Sequence, residues 1–340
     1  MPERGRQGGA EVLKAQAVMF AAPGRVELRE VDAGEPGDGD VVVRTRYSGI
    51  SAGTEMLAYR GQLDPGLVLD ETIASLGGTF AYPFRYGYSC AGVVEAGPLA
   101  PGTPVFALHP HQDRFVAAAA DVVPLGGVGP REGTLFPLVE TALQISLDAG
   151  PVLDEPVVVT GLGTVGLLTA LLLRRAGARV LAAEPQGWRR AVAASVGVEA
   201  CGPEEVGDRV AASTGGRGVA LVVEASGNPQ ALAGALPWLA HEGTALVASW
   251  YGSKPVTLPL GAEFHRRRLV IRSTQVSTIP ARLAPRWDVA RRRAAVGRLL
   301  AELPLAALAT HEFPVEEAAG AFAAVDRGEE GLMHAALWYG

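Results

Sequence analysis

The sequence predicts a two-lobed α/β protein in which a doubly wound parallel sheet accompanies a β-rich barrel lobe. The chain has 340 residues, which suits two domains of roughly 100–200 residues each better than one core. Residues 17–120 contain short apolar runs separated by Gly, Pro and Asp clusters, a pattern typical of antiparallel strands. From Pro156 to about Gln275, apolar strands alternate with helices, which indicates βαβ units.

Each element follows from apolar patterning and turn residues. In the first lobe, strands are expected at 17–20, 41–47 and 91–95, with turns at 23–24, 34–40 and 98–104. In the second lobe, the expected strands are 157–160, 180–184, 220–225, 245–250 and 269–275, and the expected helices are 165–176, 188–196, 203–213 and 229–239. Helices at 287–302 and 315–327 and a strand at 334–339 are expected to return to the first lobe.

Composition narrows the class of protein. Thirty basic residues stand against 36 acidic ones, giving a net charge of −6, which argues against a nucleic-acid partner. The polar N-terminus resembles neither a secretory signal nor a transit peptide, and the longest apolar run, 165–173, is too short to span a membrane. We therefore expect a cytoplasmic protein with a small-molecule ligand. Cys90 and Cys201 are too few for a disulfide framework or a four-thiolate zinc site, so each is expected to be buried.

The strongest motif is TGLGTVG at residues 160–166, between an apolar strand and an apolar helix. Gly161 permits the tight turn, Gly163 lets the backbone approach a pyrophosphate, and Gly166 allows close packing of helix on strand. Thr164 and Val165 open the helix, whose unpaired N–H groups favour an anion. This pattern predicts a dinucleotide site.

Further residues extend the predicted cofactor site. Glu184 ends the next strand, where its carboxylate suits the ribose hydroxyls of NAD and repels the 2′-phosphate of NADP. Arg189 and Arg190 follow; they either soften that preference or form a solvated helix face. Ser226 and Trp250, at the carboxyl ends of later strands, are further candidate contacts. NAD is thus the expected cofactor, ahead of NADP.

Four segments resemble the medium-chain dehydrogenase/reductase superfamily: YSGISAGTE (47–55), GYSCAGVVEAG (87–97), GLGTVG (161–166) and LVVEASGNPQAL (221–232). The likeness extends from about Lys14 to the C-terminus. SGISAGTE and FHRRRLVIRSTQVS (264–277) are most similar to zinc-lacking members of the bacteriochlorophyllide 2-hydroxyethyl dehydrogenase type.

The resemblance implies a GroES-like β-barrel catalytic domain interrupted by a Rossmann NAD-binding domain. The barrel domain would comprise 14–148 and 277–340, with the Rossmann domain at 149–276 and a disordered tail at 1–13. It also implies a homodimer in which strand 269–275 pairs with its symmetry mate.

The resemblance places Ser51, Tyr88, His109 and Glu140 around the position that a catalytic zinc ion would occupy. Ser51 and Tyr88 stand where zinc-containing members carry a cysteine and a histidine, and hydroxyls are poor zinc ligands. No zinc is therefore expected, and these side chains become candidate catalytic groups that stabilise an alkoxide by hydrogen bonding. Glu55 is an alternative brace for the Ser51 loop.

Two of these candidates have open alternatives. His109 is expected either to act as an acid or base titrating near neutrality, or simply to pack against its neighbours. Glu140 is expected either to line the site or to form a salt bridge. A third possibility is a zinc site built from His109, His111 and Glu140.

The predicted function is NAD(H)-dependent interconversion of a secondary alcohol and a ketone by hydride transfer. An enone or quinone reductase of the same superfamily and a non-catalytic dinucleotide-binding protein are the alternatives.

Overall fold

A computed structural model describes residues 13–340. The predicted disordered tail, 1–13, lies outside the described residues apart from Leu13. The strands are β1 (Lys14–Ala22), β2 (Arg25–Asp32), β3 (Asp40–Ile50), β4 (Phe84–Arg85), β5 (Cys90–Ala96), β6 (Pro104–Ala107), β7 (Arg114–Ala118), β8 (Val122–Pro124), β9 (Pro156–Thr160), β10 (Arg179–Ala183), β11 (Glu199–Cys201), β12 (Val219–Glu224), β13 (Leu239–Val247), β14 (Val270–Ser273), β15 (Ala309–Pro314) and β16 (His334–Trp338). The α-helices are α1 (Thr54–Tyr59), α2 (Pro130–Gly133), α3 (Phe136–Ala149), α4 (Thr164–Arg175), α5 (Gly187–Ser195), α6 (Val206–Thr214), α7 (Pro229–Ala235), α8 (Val289–Glu302) and α9 (Ala318–Arg327).

The second lobe is built on a six-stranded parallel sheet with the order β11-β10-β9-β12-β13-β14. This is the Rossmann strand order, in which the chain reverses direction across the sheet next to β9. Its strands are apolar because both faces are covered: Val157 and Val159 enter one core, and Val158 enters the core on the opposite face. Together with the β-rich first lobe, this sheet confirms the predicted fold class.

The first lobe contains a seven-stranded sheet and a three-stranded sheet, β2-β1-β4. The chain returns to this lobe at its C-terminal end, where β16 pairs antiparallel with β3, placing Ala335 opposite Ile50. Among residues 13–340, no helix combines the length and apolarity that a membrane crossing requires.

Two predicted boundaries in the second lobe are wrong. The helix expected at 229–239 ends at Ala235 and gives way to a 3₁₀ turn that contains Pro237. The strand expected at 245–250 runs from Leu239 to Val247. Trp250 therefore lies in the loop beyond β13 rather than at its end.

A buried ion pair joins α3 to α8. Arg292, only 3% exposed, places Nε 3.1 Å from Glu140 Oε1 and donates from Nη1 to Gln144 Oε1 at 2.6 Å. Arg293 approaches the same carboxylate at 3.7 Å but is more exposed. Because a buried carboxylate stripped of its partner is costly, the pair holds α8 against α3.

We expect Arg292→Met to lower the free energy of unfolding by about 3–5 kcal/mol, because it leaves the Glu140 carboxylate buried and poorly compensated. Urea titration followed by circular dichroism measures the loss. Arg293→Met is the matched control and should cost much less. The double variant Glu140→Leu/Arg292→Met should recover most of the loss; equal losses for Arg292→Met and Arg293→Met would contradict the assignment.

Candidate active site

The Gly-rich loop lies between β9 and α4, and close backbone contacts leave no room for a side chain at two of its glycines. A Cβ on Gly166 would lie 1.9 Å from the Gly161 carbonyl oxygen. Gly161 itself has φ +85°, and a Cβ there would lie 2.6 Å from Cα of Ser226. Around Gly163, by contrast, no described atom outside its two chain neighbours lies within 4 Å of a built Cβ. The loop is therefore tightly packed at both ends and open at its centre, which suits the approach of a diphosphate.

The hydroxyl of Thr164 does not face an open site. It donates to the Met333 carbonyl at 2.6 Å, which ties the first turn of α4 to the C-terminal segment. Val165 follows in the same turn and is partly buried. Of the predicted loop residues, the glycines and the backbone of this turn remain the groups suited to an anion.

Glu184 immediately follows β10 and is 2% exposed. Its Oε2 accepts from the Leu162 N–H at 2.7 Å, and its Oε1 accepts from the Gln186 N–H at 2.9 Å. The carboxylate thus lies beside the Gly-rich loop. Each oxygen retains capacity for a further donor.

The two arginines that follow are placed differently. Arg190 donates to the Glu184 and Pro185 carbonyls at 2.7 and 2.8 Å, which fixes its guanidinium. Arg189 lies over the Trp188 ring at 5.0 Å and reaches to 3.9 Å from the Glu184 carboxylate. Among the described residues its Nε has no hydrogen-bond partner. Arg189 is therefore the one of the two whose guanidinium approaches the Glu184 carboxylate.

Glu224, at the end of β12, is a functional candidate that the sequence reasoning missed. Its fully buried carboxylate accepts from the N–H and hydroxyl of Ser226 and, at 2.6 Å, from the Tyr251 hydroxyl. Burial and Glu224 together raise the pKa of Tyr251 well above its usual value. An acid directly after five apolar residues, at the carboxyl end of a strand, was the available signal.

Trp250 forms part of the junction between the lobes. Its side chain is 46% exposed, and its ring lies 6.3 Å from that of Phe80 in the first lobe. From Phe80 the aromatic contacts continue to Tyr86 at 5.2 Å and from there to Tyr88 at 6.3 Å. The loop after β13 therefore meets the first lobe close to the predicted catalytic tyrosine.

Ser51 and Tyr88 are brought together. The Ser51 and Thr54 hydroxyls lie near enough to the Tyr88 oxygen to favour its ionised form, and Tyr88 is partly buried at the edge of the aromatic cluster. Burial, with a smaller contribution from the charge of Glu55, raises the pKa of Tyr88 to about 12. At neutral pH the phenol therefore carries its proton and is a hydrogen-bond donor.

His109 does not have the properties expected of an acid or base near neutrality. Its ring is 8% exposed, stacks on Phe115 at 4.0 Å, and places Nδ1 3.0 Å from the Pro110 carbonyl. Burial, assisted by the charge of Arg85, lowers the pKa of His109 to about 4. The imidazole is neutral at physiological pH, which corresponds to the packing alternative.

Glu140 forms a salt bridge, which is the second of the two roles predicted for it. Its described polar contacts are the guanidinium groups of Arg292 and Arg293 on α8. A carboxylate neutralised in this way is a structural partner of α8, and the expectation that it joins Ser51 and Tyr88 gains no support from its contacts.

The side chains at this position do not fit the catalytic zinc ion that zinc-containing members of the superfamily hold. Zinc is held by thiolate, imidazole and carboxylate groups, whereas the pair that meets here consists of two hydroxyls. His111, invoked for the alternative zinc site, is bonded to Glu55 and Ser48. Across residues 13–340, no three His, Cys, Asp or Glu side chains form a group able to hold a metal.

Comparison with known proteins places these features in context. Residues 164–290 match the family model described as zinc-binding dehydrogenase. The chain is 29% identical to 2-desacetyl-2-hydroxyethyl bacteriochlorophyllide A dehydrogenase of Cereibacter sphaeroides, over 92% of this chain and 94% of that protein.

Solved structures share the fold. 2R,3R-butanediol dehydrogenase from Bacillus subtilis superposes with a TM-score of 0.78 at 16% identity, covering 96% of this chain and 100% of that one. A Sinorhizobium meliloti 1021 protein solved with bound NADP gives a TM-score of 0.74 at 18% identity, covering 96% and 100% of the two chains.

We expect Gly166→Ala to disturb the packing of the Gly-rich loop and Gly163→Ala to hinder only the approach of the ligand. Gly166→Ala forces its Cβ against a backbone carbonyl, so the thermal unfolding midpoint should fall by several degrees, equivalent to about 1–3 kcal/mol. Gly163→Ala meets open space and should leave the midpoint unchanged while weakening dinucleotide binding. Differential scanning fluorimetry with and without NADH measures both effects, and equal midpoint losses would contradict the packing argument.

Proposed function

Because the chain belongs to the medium-chain dehydrogenase/reductase superfamily, we propose that it is an NAD(H)-dependent oxidoreductase. The proposed reaction interconverts a secondary alcohol and a ketone without a catalytic zinc ion. The observation that carries this proposal is the protonated Tyr88 hydroxyl beside Ser51, next to the junction with the cofactor lobe.

The Gly-rich loop and Glu184 are the groups that would hold the dinucleotide. The backbone around Gly163 would receive the diphosphate, and the Glu184 carboxylate would accept from the ribose hydroxyls. Glu224 would keep Ser226 and Tyr251 in place at the same edge of the sheet. When bound, the nicotinamide supplies hydride donor and acceptor chemistry.

Tyr88 and Ser51 would act on the substrate oxygen. In the direction of ketone reduction, Tyr88 donates a hydrogen bond to the carbonyl oxygen, on which negative charge develops in the transition state. Ser51, whose hydroxyl lies near the Tyr88 oxygen, would be a second donor to the same substrate oxygen. The name of the bacteriochlorophyllide relative specifies a hydroxyethyl substituent, which favours an alcohol as the substrate group.

We expect Tyr88→Phe to lower kcat about 10²–10³-fold with little change in NADH affinity, because it removes one donor to the developing oxyanion. Steady-state kinetics of NADH-dependent ketone reduction measures the effect. Tyr47→Phe is the matched control, since the Tyr47 hydroxyl bonds Glu312 at 3.1 Å. Preferential reduction of enones at carbon, or NADH binding without turnover of any carbonyl, would contradict the alcohol dehydrogenase proposal.

We expect tighter binding of NADH than of NADPH, because a 2′-phosphate would approach the buried charge of Glu184. Glu184→Gln keeps an acceptor for the Leu162 N–H but removes the charge, so it should reduce the preference for NADH over NADPH. Fluorescence titration with both nucleotides measures the ratio of dissociation constants. Arg189→Ala is the companion variant and should increase the preference for NADH over NADPH. Tighter binding of NADPH than of NADH by the unaltered protein would overturn the expectation.

We also propose that the protein is a homodimer formed through β14. This strand is the edge of the six-stranded sheet, and Val270 on it is 46% exposed. Pairing with a second copy would satisfy the open edge and cover this side chain. Light scattering at micromolar concentration should give twice the mass of one chain, and Ile271→Pro should yield monomers. A monomeric unaltered protein would refute the proposal.

A further inference from the structure

We propose that a cavity in the first lobe is a second ligand site, which binds a small hydroxycarboxylate through Arg85 and His109. The cavity has a volume of about 660 Å³, and its described lining residues all fall within 19–116. Sites for small molecules usually measure roughly 300–1,000 Å³. Ser51, Tyr88 and the Gly-rich loop do not line this cavity, so the inference goes beyond the proposed reaction and does not depend on it.

Arg85, on β4, gives the wall of the cavity a positive charge. Its Nη1 donates to Gln112 Oε1 at 3.1 Å, and among residues 13–340 it forms no salt bridge. Gln112 is 1% exposed and donates from Nε2 to the Arg114 carbonyl at 2.7 Å, which fixes its amide. The guanidinium is therefore held by a neutral partner and keeps most of its five N–H donors for a ligand.

The acidic residue in the same wall, Asp32, does not neutralise Arg85. Its carboxylate is bonded instead to the Lys14 ammonium on β1. Both members of that pair are more than half exposed, so solvent and salt screen them. An anion that enters the cavity therefore meets the guanidinium as the nearest uncompensated charge.

His109 supplies the second polar group of the site. Its Nδ1 lies 3.0 Å from the Pro110 carbonyl, and a carbonyl can only accept, so Nδ1 carries the proton. Because the imidazole is neutral at physiological pH, Nε2 is left as an acceptor, and no described residue donates to it. The ring is only 8% exposed and is fixed by its stacking on Phe115. A nearly buried acceptor in a cavity wall favours a ligand that carries a donor.

These two side chains together define the class of ligand. A guanidinium binds a carboxylate through paired, charge-assisted hydrogen bonds. The same carboxylate has no proton to give to Nε2 of His109. A molecule with a carboxylate and a hydroxyl satisfies both groups, whereas a simple carboxylate satisfies only Arg85.

The experiment is calorimetric titration of the unaltered protein with lactate, and separately with propionate, in the absence of dinucleotide. Lactate should bind at one saturable site. Propionate lacks only the hydroxyl and should bind about 2–10-fold more weakly, because one neutral hydrogen bond is lost. Equal binding of the two acids would overturn the role assigned to His109, and no saturable binding of lactate would overturn the site itself.

Two arginine variants test the charge. Arg85→Gln should weaken lactate binding about 10–100-fold, because it removes the charge-assisted bonds to the carboxylate. Arg44→Gln is the matched control, since Arg44 pairs with Glu95 and does not line the cavity. It should leave lactate binding unchanged, and equal losses in the two variants would show a general effect of net charge and refute the site.

Two further variants test the acceptor and the location. His109→Phe keeps an aromatic ring on Phe115 but removes Nε2, so lactate and propionate should then bind equally. Tyr88→Phe should leave lactate binding unchanged. A loss of binding in Tyr88→Phe would place lactate in the proposed reaction site and refute a second site. The proposed reaction is tested independently by the effect of Tyr88→Phe on kcat.

A second readout needs no substitution at Arg85. Nitrogen NMR of the unaltered protein, with the His109 signals assigned through His109→Phe, reports the state of each ring nitrogen. Saturating lactate should shift the Nε2 signal toward that of a hydrogen-bonded acceptor while Nδ1 stays protonated. An unchanged Nε2 signal, or conversion to the imidazolium pattern, would refute the assigned contact even if Arg85→Gln does not fold.

Discussion

The close approach between residues 161 and 166 is the constraint on which the cofactor end of the molecule depends. With no side chain on Gly166, the first turn of α4 lies directly against the Gly161 carbonyl. That contact brings the end of β9 next to Ser226, which in turn is held by Glu224. The dinucleotide edge of the sheet is therefore shaped by backbone packing before any polar side chain contributes.

Buried carboxylates serve four different purposes in this fold. Glu140 neutralises arginine between helices, Glu184 accepts loop amides, Glu224 orders Ser226 and Tyr251, and Glu55 orders Ser51 and His111. Each is nearly inaccessible to solvent, and each has donors positioned by a different element. The chemistry of each acid follows from whether its partner is a full cation, an amide, a hydroxyl or an imidazole.

Sequence reasoning recovered the Rossmann sheet because its strands are continuous apolar runs and its loop has a fixed glycine spacing. It predicted a shared site for Ser51 and Tyr88 only through family resemblance. For His109 it left open an acid–base role and simple packing, because no pattern in the chain shows that Phe115 covers the ring. The linkage of Glu140 to Arg292 also escaped it, since the two are far apart in sequence and meet only when α8 packs on α3. His111 was considered for a metal, and its true partner, Glu55, became apparent only from the three-dimensional pairing.

The contact at the loop after β13 has a consequence for how the lobes move. The Ser253 N–H donates to the Gln62 carbonyl at 3.0 Å, Gly252 packs beside the same carbonyl, and Trp250 meets Phe80. Any opening of the cleft at this point must break a hydrogen bond and separate two aromatic rings. Because the indole is nearly half exposed at this contact, parting it from Phe80 would change its surroundings, so the emission of Trp250 in a variant without the other four tryptophans would report opening of the cleft.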